Sequence, residues 1–396
     1  MLKSVLTPTQ YAHLRMLVLA IGITYGRKSM GALKEILPAE SHHTNLCLFL
    51  RYNWDAEILL DIVAREQLKA LDLGKKDILY LLIDDTKVKK RGKEMKALHK
   101  VKDPATGRYF HGHTFVAATL LARGVTIPFR IKTFLNADWC RRKKKPYRKL
   151  TDLAVECVDA LAAVSPGVKV VVLFDAYYAC EKMFAACDAH GFTWGTTLAA
   201  NRNVWIDGKQ HKAGKYGRWI VSRQGRAVRL GKDHAGSHRR FRAVAFNATI
   251  KGRRPVRLVF SRRKGDKKVI ALASNDRTAS ASRIIDRYLY RWSIEVFFKD
   301  AKQLLGLTHY QCLDIGAITR HVHLVALAYA LLTHLRLRAS GAKGKTKKTT
   351  VVSRDTTRKR QADLRNLVME DSISFLLGKS KRNKSLQKIT SLLKAA

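Results

Sequence analysis

The sequence predicts an α/β fold: a mixed sheet with flanking helices, interrupted by a β-rich insertion and preceded by a helical N-terminal region. Three observations carry this. Two continuous apolar runs, "DILYLLID" (77–84) and "VKVVVLFD" (168–175), each end in an acid, as a central strand covered on both faces does. Between them, "HTFVAATLLA" (113–122) and "VTIPFRIKTFL" (125–135) are parted only by Arg123-Gly124, a hairpin signal, and a helical pattern covers about 150–164. The order strand, strand, strand, helix, strand gives a mixed sheet in an α/β unit.

The remaining elements follow in chain order. Residues 1–75 read as a helical N-terminal DNA-binding domain, with periodic stretches in "TPTQYAHLRMLVLAIGITYG" and "AEILLDIVAREQLKALDLG". Between these lie "SMGALKEILP" and "SHHTNLCLFLRYN", two short helices broken at Pro38 with helix-turn-helix spacing. His42, His43, Thr44, Asn45 and Arg51 are then the groove-facing side chains. Residues 76–199 form the first part of the sheet unit. Residues 200–275 form the insertion, whose β-like pieces are "RWIVSR", "RFRAVAFNATI", "PVRLVFSRR" and "KVIALAS". Residues 276–339 return to helix, in "ASRIIDRYLYRWSIEVFFKDAKQLLG" and an apolar segment at 317–337. Residues 340–396 read as a basic linker and C-terminal tail, mobile because large apolar residues are scarce at 340–361.

Composition narrows the partners. Seventy-six Lys and Arg stand against 31 Asp and Glu, a formal charge of +45 in 396 residues. Such an excess calls for a polyanion, and nucleic acid is the first candidate. No run reaches the ~18 uninterrupted apolar residues of a membrane span, and the start of the chain has no secretory pattern. Six scattered cysteines without zinc-ligand spacing read as reduced thiols of a cytoplasmic protein, nucleoid-associated when on DNA. The pairs His111/His113 and His321/His323 read as ordinary strand and helix residues. The basic runs at 87–93, 140–149 and 261–268 read as phosphate contacts.

The chemistry gathers around acids. In parallel neighbouring strands, Asp84-Asp85 and Asp175 meet at the carboxyl edge of the sheet, where α/β sites form. A third carboxylate, Glu295, lies in "YLYRWSIEVFFKDAK" (288–302). That stretch reads as one helix, on which Tyr288, Arg291, Glu295 and Lys302 share a stripe opposite an apolar stripe of Tyr290, Ile294, Phe297, Ala301, Leu304 and Leu305. Three carboxylates around one point need cations, and oxygen donors suit magnesium or manganese. Two such ions can promote in-line attack on a phosphodiester.

At these residues the chain resembles the DDE transposases of bacterial insertion sequences, the cut-and-paste kind marked by a Tyr-x2-Arg-x3-Glu-x6-Lys signature. Tyr288, Arg291, Glu295 and Lys302 match its four positions and its gaps. "LLIDDTKVKKRGK" is similar to the family's first-acid strand, where the catalytic Asp directly precedes Thr, which selects Asp85 over Asp84. "VVLFDAYYAC" is similar to the second and selects Asp175. The resemblance implies an RNase H-like core in which Asp85, Asp175 and Glu295 are catalytic and hold two magnesium ions, with manganese as the alternative metal. It implies nicking of an element's end, hairpin formation by the freed 3′ hydroxyl, and strand transfer into target DNA. Tyr288 and Arg291 are then expected to hold a phosphate beside a flipped base, Lys302 to contact the backbone, and Trp292 to stack alongside. Double-stranded transposon ends and target are the expected partners, with a homodimer in the DNA complex and no membrane. Trp205 and Trp219 of the insertion read as core. The alternatives are a domesticated, non-cutting DNA-binding protein and an RNase H-like nuclease without strand transfer.

Overall fold

The apolar run that starts the sheet forms β1 (Ile78–Lys89), and its two faces feed two different cores. Leu79, Leu81 and Ile83 join one cluster of buried side chains; Leu82 and Val88 join another. A strand alternates faces with period two, so only a strand covered on both sides is apolar throughout. The computed structural model describes residues 4–37, 42–92, 94–103, 106–164, 167–232, 237–250, 254–341 and 356–380.

Among the described residues, four helices precede β1: α1 (Pro8–Ile23), α2 (Met30–Lys34), α3 (His43–Arg51) and α4 (Ala56–Leu71). Thr7 and Gln10 close a capping box at α1, and Asp55 caps α4 through two backbone N–H groups. His42, His43, Thr44, Asn45 and Arg51 are all exposed on or beside α3, while the break at Pro38 lies outside the described residues. After β1 come β2 (His99–Lys102), β3 (Tyr109–Ala122), β4 (Val125–Thr133), α5 (Ala137–Arg142), α6 (Leu150–Ala162), β5 (Lys169–Phe174), α7 (Glu181–Ala189) and β6 (Thr193–Leu198). The β3–β4 turn is the expected one, with φ of 48° at Arg123 and 74° at Gly124. Two consecutive left-handed residues match the twist of a tight hairpin.

The insertion contributes β7 (Asn203–Ile206), β8 (Lys209–Lys212), α8 (Ala213–Gln224), β9 (Arg226–Lys232), β10 (His238–Ile250), β11 (Arg254–Arg263) and β12 (Ile270–Ser274). Its strands do not form a separate sheet. β12 pairs with β6, so one sheet of twelve strands runs β2-β3-β1-β5-β6-β12-β11-β10-β7-β8, with β4 on β3 and β9 on β10. Among the described residues, only β1–β5 and β5–β6 pair in parallel. One expectation is corrected here: "RWIVSR" is helical, within α8. Its β-branched residues suggested a strand, but Ala213, Gly217, Ile220 and Val221 recur at helical spacing and are the buried ones. A side chain at Gly217 would lie 2.6 Å from the Phe260 ring, so the glycine lets α8 sit close on the sheet.

Past the insertion lie α9 (Ala281–Leu289), α10 (Trp292–Gln303), α11 (Ile315–Gly341) and α12 (Thr357–Ser380). The expected single helix from Tyr288 to Lys302 is therefore two. Tyr290 and Arg291 form a turn between them, closed by Arg291 N–H to Tyr288 O at 3.0 Å. The change of direction lets α9 pack on the insertion strands and α10 on β1, β3 and β4. A second correction concerns the tail. The start of α12 is docked: Gln361 donates to Gly22 O at 2.9 Å, Thr357 to Asp300 Oδ2 at 2.6 Å, and Leu364 is buried. Residues 342–355 and 381–396 lie outside the described residues. α11 is long and apolar enough to cross a bilayer by length and composition, yet 72% of its most apolar window is buried inside the fold. The change at residue 75 is one of secondary structure rather than of packing, because side chains of α1, α3 and α4 share a core with α10 and α11.

Candidate active site

The alternation along β1 decides where its two acids point. Asp84 continues the face of Leu82, which is covered by α10 and α11, and Asp85 continues the face of Ile83, on the α6 and α7 side. In the parallel pair, Leu82 stands opposite Leu173 and Ile83 opposite Phe174. Asp175 follows directly, where β5 ends. Its Oδ1 accepts the backbone N–H groups of Tyr177 (2.9 Å) and Tyr178 (3.4 Å), an Asx turn that stops the strand and fixes the carboxylate at its carboxyl edge. Thr196 Oγ1 on β6 donates to Asp175 O at 3.0 Å and holds the same turn from the other side.

Glu295 is brought in by α10, whose Ile294, Phe297, Phe298 and Ala301 are buried against the sheet. Arg291 ties the pieces together. Its Nη1 lies 2.7 Å from Asp84 Oδ2 and its Nη2 donates to Glu295 Oε1, so one guanidinium bridges strand and helix. The Tyr288 ring lies 5.7 Å from the guanidinium carbon, and the buried Arg291 Nε has no hydrogen-bond partner among the described residues. Burial pushes the Asp84 carboxyl up to about 6; Arg291 works against this, and Asp175 and Asp85 add repulsion.

Asp85, the first acid expected from its place before Thr86, is held elsewhere. Its Oδ1 accepts the hydroxyl of the fully buried Tyr178 at 3.1 Å, and Lys87 Nζ lies 3.9 Å from its Oδ2. Burial raises its carboxyl as well, with Lys87, the Tyr178 hydroxyl and Lys302 pulling it down. The fold thus joins Asp84 and Glu295 through Arg291, beside Asp175, and turns Asp85 toward Tyr178. Lys302 is half-buried and feels Asp85. Tyr288 is half-buried against the insertion sheet, its hydroxyl 3.3 Å from Thr197 Oγ1. Trp292 is 64% exposed beside the cluster, and Trp219 is 45% exposed on the insertion. Tyr178 and Thr196 were not singled out from sequence. "DAYYAC" held the signal for Tyr178, since a tyrosine three residues after a strand-end acid falls inside the turn that the acid organises.

The donor set is all oxygen, which suits a hard divalent ion. Among the described residues, however, no three such side chains converge closely enough to hold one, and Arg291 occupies the space between Asp84 and Glu295. Of the expected phosphate contacts, Lys90 is already spent: its Nζ donates to Thr308 O (2.8 Å) and Tyr310 O (2.6 Å) and sits over the Tyr310 ring. His113 is likewise engaged, with Tyr310 Oη and Lys96 O.

Acids at the carboxyl edge of parallel strands in a mixed sheet, met by a helix glutamate in a strongly basic chain, describe a nuclease-type site. The family described as DDE superfamily endonuclease matches residues 1–253, well over half of the 396, and the chain belongs to it. The matched span includes β1 and β5 with their acids and ends before α9 and α10. No curated protein matches the chain. Membership makes this a nuclease-type enzyme with DNA as its substrate, in a superfamily that uses divalent metals, usually magnesium.

Proposed function

We propose that the protein is a transposase that cuts DNA at the ends of a mobile element and joins the freed 3′ ends to target DNA. The observation that carries this is the Asp84–Arg291–Glu295 bridge beside Asp175, because it combines acids for metal with a guanidinium able to grip phosphate. A plain hydrolase needs the acids alone. Asp84, Asp175 and Glu295 do not converge on one point while Arg291 stands between Asp84 and Glu295. They are proposed to hold the divalent ions, two magnesium or manganese, once a DNA phosphate draws the guanidinium away, with Asp84 taking the place that the Asp-Thr pattern gives to Asp85. Such ions supply Lewis acidity to the phosphodiester when bound.

The chain's own residues do the rest. Arg291 exchanges its two carboxylates for a DNA phosphate, which it meets with the same two-pronged geometry. Tyr288 backs the guanidinium, and Lys302 faces the DNA backbone from the far end of α10. In the first step water attacks phosphorus and the P–O3′ bond breaks, leaving a 3′ hydroxyl and a 5′ phosphate. In the second, that hydroxyl attacks a phosphorus of another strand and expels its 3′ oxygen. Two ends held together imply a homodimer on DNA. The test uses labelled oligonucleotides carrying the element's own ends, with nicked, hairpin and joined products resolved on a denaturing gel. Joined product supports the transposase reading; nicks that are never joined mark a nuclease without strand transfer, and binding without nicks marks a non-cutting protein.

A further inference from the structure

Besides Trp292, two tyrosine rings near the acids are each packed against one aromatic neighbour and otherwise open to solvent. Tyr177 is 57% exposed and Tyr147 46% exposed. Tyr177 is not on a loose loop: its backbone N–H is bound to Asp175 Oδ1, and its ring stands edge-on to Tyr178, with centroids 5.2 Å apart and planes at 82°. Tyr178 in turn donates to Asp85. The exposed ring is thus mounted between Asp175, at the end of β5, and Asp85, within β1. Tyr147 is braced edge-on by Phe134 at 6.2 Å, and its hydroxyl is close enough to influence that of Tyr177, as are Asp85 and Asp175. Tyr147 lies within the segment "RRKKKPYRK" (141–149), every residue of which is exposed. Arg141 and Arg148 pair with Asp138 and Glu156; Arg142, Lys143 and Lys144 form no ion pair among the described residues.

Exposed rings interleaved with free cations are the pattern of a single-strand path, since every base has a π-face and every nucleotide a phosphate. A fully paired duplex offers no such face, because its bases are already stacked. We propose that Tyr177, with Tyr147 behind it, is a stacking platform for unpaired nucleobases of the strand being cut, and that segment 141–149 carries the phosphates leading to it. This rests on the DNA-cleaving reading and adds that the site takes melted rather than paired DNA. The two tyrosines are positioning residues: they place the strand, and the acids cut it.

The experiment measures binding of the full chain, without added metal, to a duplex of arbitrary sequence with a short unpaired end and to its fully paired counterpart. A 2-aminopurine in the unpaired end reports stacking by its fluorescence. Wild type is expected to bind the unpaired end about tenfold more tightly and to quench the probe, as one stacked base provides. Y177A should lose both the preference and the quench, Y147A part of each, and Y177F neither, because the ring and not the hydroxyl stacks. Both tyrosines are exposed, so the variants should melt with wild type. Equal binding of paired and unpaired ends by wild type, or a Y177A variant that still quenches, would overturn the platform while leaving the cleavage reading standing. A wild-type protein that binds neither DNA would overturn both.

Discussion

Two cation sites withdrawn from solvent flank α10 in the chain, one at Arg291 just before it and one at the loop 306–310 just after it, and they differ in what answers the charge. Arg291 faces two carboxylates, Asp84 and Glu295. Lys28 and Lys90 face carbonyls instead: Lys28 Nζ donates to Gly26 O at 3.1 Å, and Lys90 Nζ to Thr308 O and Tyr310 O. His309 beside them accepts the Lys28 backbone N–H at 3.1 Å, and no carboxylate forms an ion pair with either lysine among the described residues. A dipole can orient an ammonium but does not neutralise it, so burial drives both lysines down to about 8. The lysine site is a pin: Lys90 ties the strand β1 to the loop at 308–310, and the Lys28 backbone ties the N-terminal helices to His309 in that same loop. The arginine site is, in the proposed function, an exchangeable contact, because another anion can replace what holds it.

The first way to break that contrast is to remove the acids. D175N and E295Q should lower DNA cleavage by roughly a thousandfold, the scale on which removing a developing-charge stabiliser acts. DNA binding should survive, because the +45 charge and not the acids holds DNA. Electrophoretic mobility shift beside the cleavage gel checks both halves. R291A should cost less, about tenfold in the joining step, as a charge-assisted phosphate contact does. K90M should leave the rate of both steps where it was. If K90M slows joining as much as R291A does, the distinction between pin and exchangeable contact is lost.

Salt gives the next effect. Non-specific duplex binding should weaken by about 10³ or more between low and physiological salt if six or more phosphates are contacted. A flat titration by fluorescence anisotropy contradicts a phosphate-led interface. The smallest effect is on stability. A lysine whose folded value sits near 8 is protonated in both states below that pH, so its burial penalty is fully present there. Between about 8 and 10.5 the folded chain loses the proton first, the unfolded chain binds more protons, and stability rises with pH. K28M should raise Tm by about 2 °C at pH 7 and flatten that rise. An unchanged pH profile in differential scanning calorimetry would show that Lys28 is not the titrating group.

Much of the sheet was legible because burial on both faces leaves continuous apolar runs, as at 77–84 and 168–175, and because Arg123-Gly124 marks a hairpin. Asp175, directly after β5, was legible for the same reason, whereas β1 does not end at Asp84 and Asp85 but runs on to Lys89 in its pairing with β3. What the sequence withheld depends on neighbours. Whether "RWIVSR" is strand or helix turns on Gly217 meeting Phe260 across the sheet, a contact between residues far apart in the chain. The break between α9 and α10 has no glycine or proline to mark it, and arises because the two halves pack on different parts of the sheet. The choice between Asp84 and Asp85 turns on strand parity. The Asp-Thr pattern of adjacent residues selects Asp85, whereas the alternation of Leu82 and Ile83 between two cores puts Asp84 on the α10 face, and the proposed assignment follows that alternation.

That separation is also the most direct test of the site. Cleavage of labelled DNA by D84N and D85N should be measured side by side, with mobility shift as the control for binding. Asp84 shares a face with α10 and a guanidinium with Glu295, so D84N should abolish cleavage, while D85N, losing only the Tyr178 and Lys87 contacts, should retain a measurable rate. A dead D85N beside an active D84N would contradict the assignment, and wild-type rates from both would remove the β1 acids from the chemistry altogether.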